Sequence, residues 1–232
     1  MKKLVLMMAV AVASGACAGD VDPAWQLDHD RIVAVRVSPP HLASGARGTV
    51  DALIARAGDT THVAAPIGVQ AAFAVPGLEG AVQPDGSIVA PDEAHLAIAR
   101  QALALDAGAP VPLEIGAAFG SQPLIASKVV WLGDGADNPT MPAITVNGAA
   151  PGDELVIAAD IDVPMKVDAD PMWKVTWLTS CGTMHDDDEH AAFVHVLPDD
   201  PMQGELAVVV RDTAGGVVWR TWPIRATAAP AP

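Results

Sequence analysis

The chain has 232 residues, with 28 acidic against 13 basic side chains and a formal net charge of −15 at neutral pH. So acidic a surface repels the phosphates of nucleic acids, and we expect no nucleic-acid partner. The two cysteines, Cys17 and Cys181, are too few for a disulfide framework. Because no G-x-S-x-G, H-E-x-x-H or P-loop motif occurs, the sequence indicates a non-catalytic protein.

Residues 1–16 have the features of a secretory signal peptide. Lys2 and Lys3 precede an unbroken apolar run at 4–13, and small residues follow at 14–16. The run is far shorter than the roughly 20 residues that a membrane-spanning helix needs. We therefore predict export, with removal of this segment.

The sequence Ser14-Gly15-Ala16-Cys17 resembles the lipobox of bacterial lipoproteins, although Ser14 stands where that family usually has Leu. The resemblance implies that a lipid on Cys17 anchors the protein to a membrane, with residues 17–27 as a tether. Ala18 in the next position implies export to the outer membrane or cell surface. An alternative remains, because Ala16-Cys17-Ala18 is also an A-x-A cleavage site for ordinary secretion, which would give a periplasmic or secreted protein.

The body of the chain predicts an all-β fold. Short apolar runs alternate with Gly- and Pro-containing turns, as is typical of β-sandwiches. One segment, at about 92–106, has an acidic start, helical apolar spacing and a Gly stop, which predict one short helix. The predicted strands are 31–37, 48–55, 111–119, 127–132, 143–146, 154–162, 173–178, 192–197, 205–212 and 216–224.

A faint internal repeat suggests two modules in tandem. Residues 34–55 and 143–162 both read as strand, Pro/Gly-rich turn and strand. The predicted organisation places a first sandwich at 28–134, a linker at 135–139, a second sandwich at 140–227 and a disordered tail at 228–232.

Two stretches resemble bacterial immunoglobulin-like modules. RVSPP at 36–40, followed by a Gly-containing turn and a strand, is similar to the opening of such domains. VVVRDTAGGVVW at 208–219 is similar to their last hairpin, including that of the PKD-like kind. The chain thus resembles bacterial surface lipoproteins with tandem immunoglobulin-like domains. The resemblance implies a role in adhesion, scaffolding or ligand binding, and it supplies no catalytic residue.

The segment CGTMHDDDEH at 181–190 is the richest in metal-ligand side chains. Its histidines and Cys181 are zinc ligands by type, and its carboxylates suit calcium. Neither a zinc-site spacing nor the EF-hand order is present, so a solvated loop between strands is the alternative. The candidate ligands are His185, Asp186, Asp187, Asp188, Glu189 and His190.

The predicted linker offers a second cation site through Asp134, Asp137 and Asn138. This stretch is similar to the acidic junctions that hold Ca²⁺ in cadherin-like arrays. Side chains of Asp and Asn also stabilise ordinary turns, which is the alternative here. We expect no cofactor other than a calcium or zinc ion at one of these two places.

Two functions therefore compete. The first is a membrane-tethered, non-catalytic interaction or scaffold module whose partner is a protein or polysaccharide. The second is a surface module that binds a divalent cation. An outward-facing Trp222 could stack on a sugar or peptide, whereas an inward-facing one would belong to the sandwich core.

Overall fold

The computed structural model describes residues 23–228. The predictions for residues 1–16, for Cys17 and for the tail beyond 228 lie outside the described residues. Within them, no helix combines the length and apolarity that a membrane crossing requires.

The prediction of an all-β protein with one short helix is confirmed. The described chain contains sixteen strands, which form four four-stranded sheets, and the helix α1 at Glu93–Ala102. The sheets pack in pairs as two β-sandwiches, each around its own apolar core.

The first sandwich is built on β3, with which three other strands pair. Its second sheet has the order β2-β8-β7-β5, and β7 and β8 form its long central hairpin. The strands are β1 (Arg31–Ser38), β2 (His41–Leu42), β3 (Arg47–Ala55), β4 (His62–Ala64), β5 (Gly68–Ala71), β6 (Ile88–Val89), β7 (Val111–Phe119) and β8 (Leu124–Leu132).

The second sandwich has the sheet orders β13-β14-β11-β9 and β10-β16-β15-β12. The hairpin of β15 and β16, predicted from its alternating side chains and Gly215, is present. The strands are β9 (Ala143–Val146), β10 (Leu155–Ala158), β11 (Asp162–Asp168), β12 (Lys174–Thr179), β13 (Thr183–His185), β14 (Ala191–His195), β15 (Gln203–Arg211) and β16 (Val217–Thr227).

The two sandwiches share an unusual feature at their first strands. In the first, β1 pairs with β3, and the next strand β2 changes sheets to run parallel to the last strand β8. In the second, β9 pairs with β11, and β10 changes sheets to run parallel to the last strand β16. This shared topology supports a tandem repeat.

The predicted strand at 154–162 is wrong. Residues 154–162 do not form a single strand, because the chain turns after β10 at Asp160, whose φ is +60°. Strand β11 follows and was not predicted, although its side chains alternate between exposed and buried along Asp162–Asp168. The counterpart of β3 is therefore β11, and β10 is the counterpart of the two-residue β2.

Helix α1 begins where the sequence predicts and ends earlier. The Asp92 side chain accepts a hydrogen bond from the backbone N–H of His95 at 3.0 Å, which caps the first turn. The helix ends at Ala102, and Ala104 takes a left-handed φ of +54°, so the predicted end near 106 is wrong. Leu96 and Ala99 pack into the core of the first sandwich.

A third apolar cluster, which we call the seam, joins the two sandwiches. It lies between the outer face of β1 and β3 and the outer face of β12, β15 and β16. Trp219 packs against it, whereas Trp222 is buried in the second core, which excludes stacking of Trp222 on a ligand. The seam residues are Leu27, Val33, Ala34, Leu53, Ala55, Leu178, Ala207, Val209 and Val217.

Polar contacts surround the seam. The carboxylate of Glu205, only 9% exposed, accepts hydrogen bonds from the backbone N–H and the hydroxyl of Thr61, at 2.6 and 2.7 Å. The guanidinium of Arg36 lies 4.1 Å from the centre of the Trp219 ring, a cation–π contact. Both contacts bridge the two sandwiches, so the seam is closed by specific polar partners as well as by apolar packing.

The segment before β1 also contacts the second sandwich. The backbone of Leu27 donates to the carbonyl of Thr179 at 3.0 Å, and the N–H of Thr179 donates to the carbonyl of Trp25 at 2.9 Å. These bonds add residues 25–27 to the edge of β12 in parallel orientation. The chain thus touches the second sandwich before it enters the first.

We expect Leu53→Ala, in the seam, to lower the free energy of unfolding by about 2–5 kcal/mol and to uncouple the two sandwiches. The reason is that Leu53 is buried between the sandwiches and not within either core. Urea denaturation followed by tryptophan fluorescence and circular dichroism would show one transition in the wild type and two in the variant.

Leu113→Ala is the matched control, because Leu113 is equally buried but lies inside the first core. It should cost a similar free energy without separating the transitions of the two sandwiches. A Leu53→Ala protein that unfolds in one unchanged transition would contradict the role of the seam.

Candidate functional site

The acidic segment 181–190 contains β13 and the connection from β13 to β14 at 186–190. Asp186 adopts a left-handed φ of +55°, and its carbonyl accepts a hydrogen bond from the N–H of Glu189 at 3.0 Å. Aspartate tolerates this conformation better than most residues because its short polar side chain can bond locally. The run of acids is therefore explained in part by the tight turn that it forms.

Backbone groups of this turn are tied to β12. The carbonyl of Asp187 accepts a hydrogen bond from the N–H of Trp177 at 2.7 Å. The indole N–H of the same tryptophan donates to the carbonyl of Glu189 at 3.1 Å. The carboxylates of Asp186, Asp188 and Glu189 are exposed to solvent, and Asp187 is half-buried.

The three histidines near this turn have separate partners. His185 stacks on Phe193, its cross-strand neighbour, with ring centres 4.5 Å apart. His190 donates from Nε2 to the carbonyl of Trp173 at 2.9 Å. His195 lies opposite Asp162 across β11 and β14, with Nδ1 2.7 Å from a carboxylate oxygen.

These geometries do not gather a ligand set. Over residues 23–228, no three His, Cys, Asp or Glu side chains lie close enough together to hold a metal ion. Two further observations are that the ring of His185 is stacked and that His190 uses its Nε2 proton on a carbonyl. Cation binding at this segment stays a prediction.

Cys181 is a small buried residue. Its thiol donates to the carbonyl of Pro201 at 3.0 Å, and its backbone N–H donates to the hydroxyl of Thr179, also at 3.0 Å. Burial raises the pKa of the Cys181 thiol, so the protonated form dominates at neutral pH. Because the thiolate is the nucleophile, this cysteine is poorly suited to catalysis.

The predicted linker residues do not point to a common centre. Asp134 contacts Nδ1 of His41 at 3.0 Å, while Nε2 of His41 donates to the carbonyl of Ala214 in the second sandwich at 2.8 Å. Because each ring nitrogen lies near an acceptor, His41 links Asp134 to the β15–β16 turn by hydrogen bonds. Asp137 is exposed.

Asn138 joins the two sandwiches directly. Its side-chain amide donates to the carbonyl of Val37 at 2.8 Å, and its side-chain oxygen accepts from the N–H of Val217 at 2.8 Å. Both the donor and the acceptor of this amide are therefore used by protein groups on opposite sides of the seam. Asn138, which the sequence suggested as a cation ligand, thus links the two sandwiches by hydrogen bonds.

Two basic residues that no sequence motif indicated line a crevice at the edge of the seam. The crevice has a volume of about 410 Å³ and lies between β1 and β8, with Lys128 and Arg211 in its wall. Each lies within a strand of largely apolar residues, SKVVWL and ELAVVVRD. A lone basic residue in such a strand was the available signal, but nothing in the sequence indicated that β8 and β15 would meet.

No family model matches the chain, and no curated protein matches it. In structure it is similar to domains EC1–4 of Drosophila N-cadherin, with 16% identity, a TM-score of 0.25, and coverage of 86% of this chain and 51% of that chain. It is also similar to the human desmocollin-1 ectodomain, with 15% identity, a TM-score of 0.25, and coverage of 87% of this chain and 42% of that chain. The chain thus spans about half the length, or less, of these cadherin structures.

If the acidic segment binds a cation, we expect Ca²⁺ or Zn²⁺ to raise the thermal midpoint relative to EDTA, because an ion bound only by the folded state stabilises it. An ion at 100 times its Kd would add about 2.7 kcal/mol, or roughly 5–10 °C for a chain of this size. Differential scanning calorimetry in the two ions and in EDTA makes the comparison. No rise with either ion would contradict cation binding, and a rise that His190→Ala abolishes would place the ion at the acidic segment.

Gly182, just before β13, tests the close approach of the acidic segment to β14. Its φ is +78°, and a Cβ there would overlap the carbonyl oxygen of His195. Gly148 has the same φ with no atom within 4 Å, so Gly148→Ala carries only the left-handed strain of about 1–2 kcal/mol. We expect Gly182→Ala to lose at least about 1 kcal/mol more in urea unfolding, and equal losses would contradict this packing.

Proposed function

We propose that this protein is an exported, non-catalytic interaction or scaffold module that a lipid on Cys17 tethers to a membrane. The observation that carries the proposal is the seam, which fuses two sandwiches into one unit. The signal-peptide features of residues 1–16 and the lipobox-like residues before Cys17 support export and lipidation.

The seam matters because it opposes hinge motion. Linked domains move relative to one another unless their interface is large and apolar. Here an apolar cluster of buried residues lies between the sandwiches, and Glu205, Asn138 and His41 add hydrogen bonds across it. A unit held in this way presents its outer loops at fixed positions, which suits a scaffold or a binding surface.

The docking of residues 25–27 on β12 limits how far the body can lie from the proposed anchor. The chain from the α-carbon of Cys17 to that of Trp25 has eight α-carbon steps, so a fully extended tether spans at most about 29 Å. The protein would therefore act close to the membrane surface. This distance favours a partner in the same envelope, either a protein or a polysaccharide.

Two further features support a role without catalysis. The buried thiol of Cys181 has a raised pKa. The His41–Asp134 pair, which resembles part of a catalytic triad, has Nε2 of the imidazole occupied by the carbonyl of Ala214. That nitrogen would have to face a nucleophile for general-base catalysis.

We expect Cys17→Ala to abolish palmitate labelling and to move the protein from the membrane fraction to the soluble fraction. Cys181→Ala is the matched control, because it removes the other cysteine of the chain and should leave labelling unchanged. Metabolic labelling, Triton X-114 partition and mass spectrometry of the mature N-terminus are the measurements. An unmodified wild-type protein that begins after Ala18 would contradict lipidation and support ordinary secretion.

A further inference from the structure

The crevice at the edge of the seam exists because β1 and β8 lie side by side without pairing. Within residues 23–228, strand β1 pairs only with β3, and the first two-thirds of β8 has β7 on one side and no strand on the other. Strand β2 pairs with β8 only at Trp131 and Leu132. The crevice between these two edges is open to solvent, and Ile125 on its wall is 77% exposed.

Two positive charges from different sandwiches meet in this crevice. Lys128 is on β8 of the first sandwich, and Arg211 is at the end of β15 in the second. Both side chains are half-buried. Burial lowers the pKa of each, and the charge of Arg211 lowers the pKa of Lys128 further.

Neither cation has a carboxylate partner among residues 23–228. Lys128 donates one hydrogen bond, to the carbonyl of Gly215 at 2.6 Å. Arg211 donates to the hydroxyl of Thr176 and to the carbonyl of Val33, both at 3.1 Å. An ammonium has three donors and a guanidinium five, so several N–H groups of this pair lack a protein acceptor.

The acids of the chain do not neutralise this pair. Asp212 favours the charged form of Lys128, but its Oδ1 accepts from the N–H groups of Ala214 and Gly216, and it forms no ion pair with either cation. Arg31 and Arg220 likewise have no ion pair among residues 23–228, whereas the five remaining arginines do have carboxylate partners. Those pairs are Arg36–Asp51, Arg47–Asp85, Arg56–Asp30, Arg100–Glu93 and Arg225–Glu154.

We propose that the crevice binds an oxyanion, a carboxylate or a phosphate, between the ammonium of Lys128 and the guanidinium of Arg211. Half-buried like charges repel each other unless an anion compensates them, and charge-assisted hydrogen bonds to an oxyanion satisfy the free donors. The volume of about 410 Å³ suits a small organic anion, and Leu124, Ile125 and Ala126 offer apolar contacts to its remainder.

Isothermal titration calorimetry with sodium hexanoate and with inorganic phosphate, at constant ionic strength, tests the proposal. Hexanoate carries a carboxylate on an apolar chain, and phosphate carries charge alone. Tighter binding of hexanoate would assign an amphiphilic carboxylate, and tighter binding of phosphate would assign a phosphate. Failure of both to bind at 10 mM would overturn the site.

The variant Lys128→Gln should weaken binding at least about tenfold, because it removes one charged hydrogen-bond donor. Lys166→Gln is the matched control, since Lys166 is an exposed lysine on β11 of the second sandwich. An affinity that Lys128→Gln and Lys166→Gln change equally would overturn the assignment. Circular dichroism shows whether each variant folds.

A second measurement uses the wild-type protein and does not depend on the folding of a variant. Reductive ¹³C-methylation labels the lysines, and Lys128 lies in the crevice while Lys166 and Lys174 are exposed. Addition of the anion should shift the NMR signal of Lys128 and leave the other two unchanged. Equal shifts of all three would reveal unspecific screening and overturn the site. Neither result depends on lipidation of Cys17, so the two proposals fail separately.

Discussion

The burial of β15 on both of its faces is the constraint on which this structure depends. Leu206, Val208 and Val210 point into the core of the second sandwich, and Ala207 and Val209 point into the seam. A strand of an antiparallel sandwich commonly has one solvated face. Here the second face can leave water only if the first sandwich covers it, so the two sandwiches stabilise each other.

The polar groups near the seam follow from that burial. Groups withdrawn from water need hydrogen-bond partners, and removing one partner leaves the other at a cost of about 1–3 kcal/mol. Glu205 accepts hydrogen bonds from Thr61, and the side chain of Asn138 forms hydrogen bonds with backbone groups of both sandwiches. The segment that reads in the sequence as a flexible linker is thus held between the two bodies. The side-chain oxygen and nitrogen of Asn138 both form hydrogen bonds with protein groups.

The sequence predicted those elements that a local pattern of residues encodes. Alternating side chains and turn residues located the long strands apart from β11, the capped helix start and the β15–β16 hairpin. Strands β2, β4, β5, β6 and β13 have two to four residues, too few to show a period of two. Strand register and sandwich packing bring Lys128 and Arg211 to the same crevice. The same two factors keep His185, His190 and His195 apart. Residues far apart in sequence determine both, so no local spacing could have revealed them.

The sheet change of the first strands links the fold to the crevice. In the second sandwich, β10 covers four residues of β16, from Ile224 to Thr227, whereas in the first, β2 covers only two residues of β8. The shorter β2 leaves the edge of β8 uncovered where the seam brings Arg211 beside Lys128. An open edge with charged residues resists unwanted strand pairing, because inserting a strand would bury those charges. The charges of Lys128 and Arg211, which oppose strand pairing at this edge, also supply the hydrogen-bond donors for an anion. The short β2 strand therefore accounts for both the protected edge and the proposed anion site.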